Sequence, residues 1–135
     1  MRAVLDTNVL VAAVLSPQGA PARVLEAWIE GTFELITSPR LLEELRRVLM
    51  YPKIRVHVAP AEATEFLDLI ESSSVVVDDP QEPPVVTSSD PNDDFVIVLA
   101  QATRSILVSG DSDLLALTNR IPVMSPADFA RQLGM

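Results

Sequence analysis

A three-layer α/β/α sandwich around a mostly parallel central sheet is the fold this sequence predicts, and three observations predict it. Strand-type and helix-type segments alternate along the chain without an internal repeat, which is the pattern of consecutive β-α-β units. The strand-type segments are short and mainly aliphatic, as strands covered on both faces must be. Finally, 135 residues that are 48% hydrophobic but only 4% aromatic, with mean hydropathy +0.28, suffice for one aliphatic core and not for two. The chain therefore reads as a single domain over residues 1–135.

Taken in order, Arg2 to Leu5 is a strand and Asn8 to Leu15 a helix that ends near Ser16-Pro17-Gln18-Gly19. Pro21 suits the first turn of the next helix, in which Val24, Leu25, Trp28 and Ile29 form one apolar face before Gly31 stops it. Trp28 is read as core packing. Phe33 to Thr37 is strand-like. Ser38-Pro39 then supplies a cap and a first-turn proline for a helix that runs to about Met50 and halts before Pro52. Pro60 opens another helix with Phe66, Leu67 and Ile70 inward. Ser74 to Val77 is a β-branched strand, followed by a proline-rich acidic loop from Asp78 to Pro84. Asp90-Pro91-Asn92-Asp93 has the form of a helix start, and that helix reaches about Thr103. Its segment Phe95 to Leu99 also has strand-type propensity, and the position of Pro91 decides for the helix. Ser105 to Val108 is a strand, Asp113 to Leu117 a short helix and Pro122 to Met124 a last strand. Ser125-Pro126-Ala127-Asp128 starts a terminal helix.

Composition removes several function classes. Without cysteine there is no disulfide framework, thiolate metal site or cysteine nucleophile, which suits a cytoplasmic protein. The longest apolar runs, Val9 to Leu15 and Phe95 to Ala100, fall far short of the ~20 residues of a membrane helix. Arg2, the run to Leu15 and Ala20-Pro21-Ala22 loosely imitate a secretory leader, but Asp6 and Asn8 interrupt the apolar stretch. The isolated glycines form no phosphate-binding loop, and no Gly-x-Ser-x-Gly elbow is present. A net charge of −9 argues against simple electrostatic binding of nucleic acid. The charge is uneven, however: Arg40 to Arg55 carries +3 and the rest of the chain −12. His57, the only histidine, lies in that basic stretch and reads as an exposed bystander.

In open α/β sheets ligands bind beyond the carboxyl ends of the strands. Asp6 ends the first strand, the helix with Glu44 follows the second, Asp93 opens a helix, and Asp111 and Asp113 follow Ser105 to Val108. Each acid has a bland role open to it as a strand end, helix cap or turn residue. Together they predict one acidic rim, which a cation would have to neutralise. All-oxygen ligands select a hard ion, Mg²⁺ or Mn²⁺. At about 100° per residue, Glu44 lies about 100° from the centre of the apolar stripe formed by Leu41, Leu42, Leu45, Val48 and Leu49, and Glu43 about 160°. Glu44 is therefore the cleft acid, and Glu43 a surface acid placed to pair with Arg46 or Arg47. Arg40 and Arg47 share Glu44's stripe and are placed to hold a substrate phosphate.

The segments Val4-Leu5-Asp6-Thr7-Asn8-Val9-Leu10, Ser38-Pro39-Arg40-Leu41-Leu42-Glu43-Glu44-Leu45, Asp90-Pro91-Asn92-Asp93-Asp94-Phe95 through Ala100, and Val108-Ser109-Gly110-Asp111-Ser112-Asp113-Leu114-Leu115 occur in this order. In them the chain resembles the PIN-domain ribonucleases, in particular the VapC-like toxins of toxin–antitoxin pairs. The resemblance places the family's acids at Asp6, Glu44, Asp93 and Asp111, with Asp113 as a further acid and Asn8 and Ser109 in support. Asp93 is preferred to Asp94 because the family's small residue seven positions on then matches Ala100. Ser109 stands where family members commonly carry Thr. The likeness implies Mg²⁺- or Mn²⁺-dependent endonucleolysis of RNA, a homodimer and a small antitoxin that blocks the site. It also implies Asp6, Asp93, Asp111 and Asp113 as metal ligands, and Arg40, Arg47, Lys53 and Arg55 as contacts to the RNA backbone. Two alternatives stand beside it. An aspartate-based phosphotransfer domain lacks here the second aspartate of the dehalogenase pair and a lysine in the later strands. A non-catalytic PIN-like binding module would be marked by missing acids, and none is missing.

Overall fold

The computed structural model describes residues 1–135. Strands β1 (Arg2–Leu5), β2 (Glu34–Thr37), β3 (Val75–Val76), β4 (Ile106–Val108) and β5 (Val123–Met124) form one sheet in the order β3-β2-β1-β4-β5. Every strand pair is parallel, so the expected mostly parallel sheet is wholly so. Helices α1 (Thr7–Leu15), α2 (Ala20–Ile29), α3 (Pro39–Leu49), α4 (Pro52–Arg55), α5 (Pro60–Ser73), α6 (Asp94–Thr103), α7 (Ser112–Leu115) and α8 (Pro126–Gln132) fill the connections. None of them is long and apolar enough to cross a membrane.

Where one aliphatic core was expected, the alternation of side chains along each strand builds two, one on each face of the sheet. Ala3, Leu5, Leu35 and Val108 join the core formed with α1, α2, α5 and α8. Val4, Ile36 and Leu107 join the other, formed with α6 and α7. Helix α3 wraps the edge, giving Leu45 and Leu49 to the first core and Leu41 to the second. Helix α6 buries Val96 to Ala100 without a break, which explains why its sequence also suits a strand.

Several expected boundaries shift for local reasons. Asp6 caps α1 by accepting the Thr7 N–H, so the helix begins at Thr7 rather than Asn8. Asp90 caps a single 3₁₀ turn (Pro91–Asp93), and α6 proper starts at Asp94. Asp111 caps α7, which therefore begins at Ser112. Helix α4 was not expected, because four residues are too few to show a periodicity. The acidic loop after β3 is pinned by Gln101, whose side chain accepts the Val85 N–H at 2.7 Å and donates to Glu82 and to Pro83 O.

The chain runs outward from β1 through β2 to β3, then returns to the other side of β1 for β4 and β5. The direction of winding reverses between β1 and β4, and there a crevice opens beyond the strand ends. Asp6 and Ser109 are the residues that follow those two ends.

Candidate active site

Backbone pairing brings the first acid to the crevice. Leu5 is in register with Val108, and the Asp6 N–H continues the ladder by donating to Val108 O at 2.9 Å. The Asp6 carboxylate is buried and held at both oxygens: Oδ1 accepts the Thr7 N–H at 2.8 Å and Oδ2 the Ser109 hydroxyl at 2.9 Å. Ser109 Oγ in turn accepts the Asp111 N–H at 3.0 Å, and Asp111 Oδ1 accepts the Asp113 N–H at 2.8 Å. Burial pushes the Asp6 carboxyl above its ordinary range, its two hydrogen bonds oppose that, and the charges of Glu44 and Asp111 add to it.

Asp93 behaves differently from a helix cap. It stands at the start of α6 but makes no capping bond, and its Oδ2 is buried with no hydrogen-bond partner. Its pKa is pushed up to about 7, first by burial, then by hydrogen bonding to and repulsion from Asp111, then by Asp6 and Asp90. None of Asp6, Asp93 and Asp111 has a Lys or Arg in ion-pair contact. The neighbouring Asp94 is already engaged, accepting the Ser88 N–H at 2.9 Å. The acid that faces the cluster is thus Asp93.

Glu44 closes the rim from α3. Thr7 Oγ1 donates to its Oε2 at 2.5 Å, and Arg47 Nη2 lies 3.7 Å from its Oε1. Beyond Glu44 opens a groove of about 470 Å³ lined by Arg40, Glu43, Glu44, Arg47, Asn92 and Phe95. The Arg40 guanidinium lies 4.4 Å above the centre of the Phe95 ring.

A divalent cation is the group these residues would be expected to hold. As the side chains stand, no three acids form a group that could hold a metal ion. Two features nevertheless fit a hydrated cation held by one or two carboxylates, the usual manner of Mg²⁺. The donors are all oxygen, and Asp93, whose carboxyl interacts with Asp111, keeps a buried Oδ2 without a hydrogen-bond partner. The fit is to the Asp93 and Asp111 pair with Asp6 beside it, not to a closed cage.

The sequence matches the PIN-domain profile over residues 2–113. The chain belongs to the PIN-domain family. It is 29% identical over 118 residues to the uncharacterised protein MJ1680 of Methanocaldococcus jannaschii, a match covering 87% of this chain and 75% of that one. The fold is similar to PAE2754 of Pyrobaculum aerophilum (TM-score 0.67, 20% identity, 99% and 96% of the two chains). It is also similar to a chain of VapBC2 from Rickettsia felis, solved bound to a DNA fragment from its promoter (TM-score 0.65, 17% identity, 93% and 98%). A chain of FitAcB from Neisseria gonorrhoeae gives TM-score 0.56 at 16% identity over 93% and 98%.

In this PIN domain Asp6 comes within electrostatic reach of Glu44, Asp93 and Asp111, and other expected residues do not join them. Asp113 contributes its backbone N–H to Asp111, but its carboxylate is not among the charges that raise Asp6 or Asp93. Asn8 is exposed on α1 and lines a separate groove with Val11, Leu15 and Lys53. Support comes from the expected Ser109 hydroxyl on Asp6 and, in place of Asn8, from the Thr7 hydroxyl on Glu44. The basic strip divides likewise: Arg40 and Arg47 flank the acids, Lys53 lies in the Asn8 groove, and Arg55 donates to Met50 Sδ at 3.5 Å. Arg47 pairs with Glu44 and not with Glu43, because the cleft acid is on its own stripe of α3. Glu43 and His57 are exposed, as expected. Sequence reasoning missed Thr7, Asn92 and Phe95. The i,i+1 position of Thr7 beside a strand-end acid was the one available signal.

Proposed function

We propose that this PIN domain is a Mg²⁺- or Mn²⁺-dependent endoribonuclease that hydrolyses RNA phosphodiester bonds. One observation carries the reading: Asp93 Oδ2 is buried and unpartnered, opposite Asp111 and near Asp6, with no basic side chain to neutralise them. As a cap alone, Asp93 would accept a backbone N–H, and it accepts none.

In this reading Asp93 and Asp111 are the principal holders of the ion, with Asp6 close enough to act directly or through water. The chemistry a bound Mg²⁺ or Mn²⁺ supplies is charge neutralisation at the scissile phosphate and activation of water. Glu44, its carboxylate fixed by Thr7 and Arg47, orients the attacking water or takes its proton. Ser109 fixes Asp6 and the Asp111 backbone together. Asp113 would be an additional acid, and Asn8, Lys53 and Arg55, which lie outside the Glu44 groove, would meet the RNA only beyond the centre.

The partner we infer is a small antitoxin that covers the acids, with the nuclease pairing as a homodimer in the cytoplasm. The VapC-like motifs and the fold likeness to the VapBC2 chain support the antitoxin partner. A short upstream reading frame whose product co-purifies and abolishes cleavage would establish the partner, and light scattering would establish the dimer. The activity itself is tested on structured RNA with Mg²⁺, Mn²⁺ or EDTA. Cleavage with the metals and about a hundredfold or greater loss in Asp6→Asn is expected, because the ion supplies several kcal/mol of barrier lowering. Binding of RNA without cleavage under any metal would favour the non-catalytic module.

A further inference from the structure

The groove beside Glu44 has features that a phosphate-binding site would not need. Its charged lining is balanced, Arg40 and Arg47 against Glu43 and Glu44, so it offers little net attraction to an anion. Arg47 is committed to Glu44. Arg40 is not committed to any carboxylate, and its side chain makes no hydrogen bond. Its guanidinium carbon lies 4.4 Å over the centre of the Phe95 ring, which is half-buried against the second core. This flat, delocalised cation has its donors free, and the side turned away from the ring borders the groove. Asn92 adds a side-chain amide, both donor and acceptor, that no other group of the protein engages; only its backbone N–H is used, by Asp90.

We propose that this groove binds one unpaired nucleobase of the RNA strand, stacked on the Arg40 guanidinium that Phe95 supports, with its edge read by Asn92 and Glu43. The proposal rests on the ribonuclease reading for the identity of the strand and deepens it by assigning a base-binding subsite beside the acids. Bases splayed out of a helix are recognised by stacking on aromatic rings or guanidinium planes and by hydrogen bonds to their edges. A paired base has both faces covered and cannot enter. The role of Arg40 is thereby stacking, where its charge alone suggested a phosphate contact.

The test is equilibrium binding of a fluorescently labelled single-stranded RNA in EDTA, repeated with the strand made abasic at each position in turn. The wild type is expected to lose about tenfold or more in affinity for one abasic position. Arg40→Lys, which keeps the charge and removes the plane, is expected to lose a similar factor on the intact strand and to bind that abasic strand as the wild type does. Phe95→Leu should follow Arg40→Lys, with thermal denaturation showing whether it is folded; Arg40 lies outside the core, so the lysine variant decides the matter if Phe95→Leu unfolds. The same sequence as a duplex should bind about tenfold more weakly. Affinity unchanged in Arg40→Lys, or a loss of the same size whether or not the base is present, overturns the proposal. Cleavage with Mn²⁺ is scored separately: base-dependent binding without cleavage defeats only the nuclease reading, and cleavage with base-independent binding defeats only this one.

Discussion

The Ser109 hydroxyl donates to Asp6 Oδ2 at 2.9 Å across 103 residues of sequence, and the same oxygen accepts the Asp111 N–H at 3.0 Å. One buried hydroxyl thus locks the end of β1 to the turn after β4. Ser109→Ala removes the donor from a buried carboxylate and the acceptor from a backbone N–H. It should cost about 2 kcal/mol of stability in urea denaturation. It should also raise the Asp6 pKa further, since that bond is the larger of the two that oppose the effect of burial. Ser109→Thr, which keeps the hydroxyl, should retain the Asp6 bond, and an equal loss in both variants would show that packing and not the bond is responsible.

Asp93 should give the metal-free protein an inverted pH dependence. The folded protein holds this proton up to about pH 7, whereas an unperturbed carboxyl releases it near 3.8. Between those values the folded state binds more protons than the unfolded one, so stability should fall as pH rises from about 4 to about 7 and level off above. Asp93→Asn should flatten that slope. At pH 7.5 in EDTA it should be more stable than wild type by on the order of 1 kcal/mol, far less than the full shift implies because the cleft is open to water. An unchanged slope would remove Asp93 as its source.

Adding Mg²⁺ or Mn²⁺ should reverse that order. An ion binding only the folded state at a hundred times its Kd adds about 2.7 kcal/mol. Wild type should therefore melt higher in Mg²⁺ than in EDTA, while Asp93→Asn and Asp111→Asn should show little rise. A rise of equal size in all three would place the ion elsewhere.

Arg104 ends α6 at φ 53°, the one non-glycine residue with positive φ, and its N–H reaches Ala100 O and Gln101 O. A side chain in this region is strained and glycine is not, so Arg104→Gly should stabilise by about 0.5–1 kcal/mol even though glycine loosens the unfolded chain. Because the site lies at the other end of α6, cleavage should be unchanged, and denaturation with activity assays checks both.

How far the sequence alone reached depended on the length scale of the signal. Ser38-Pro39 and Ser125-Pro126 mark helix starts chemically, and the structure has both caps, with Ser38 accepting from Leu41 and Ser125 from Asp128. The choice of Glu44 over Glu43 needed only the helical period, and Glu44 is the acid in contact with Thr7. Strand-end placement likewise predicted that Asp6 and Asp111 meet. What could not be read was anything set by a side chain's direction across the crevice. Asp6, Asp93 and Asp111 all stand at helix starts, but only Asp93 turns its carboxyl away from capping. Lys53 and Arg55 share a basic segment with Arg40, but helix α4 turns them from its groove. The Arg40–Phe95 stack joins residues 55 positions apart with no period to link them.

The middle strand β1 is made before its partner β4, which begins more than a hundred residues later. During translation, at about 5–20 residues per second, Asp6 therefore waits on the order of 5–20 s before Ser109 and Asp111 exist. A nascent chain carries Asp6, Thr7 and Glu44 but lacks the opposite wall, and the sheet's winding order forbids any earlier strand from substituting. Until that segment exists the acids cannot gather, so the cluster is among the last features of the fold to assemble.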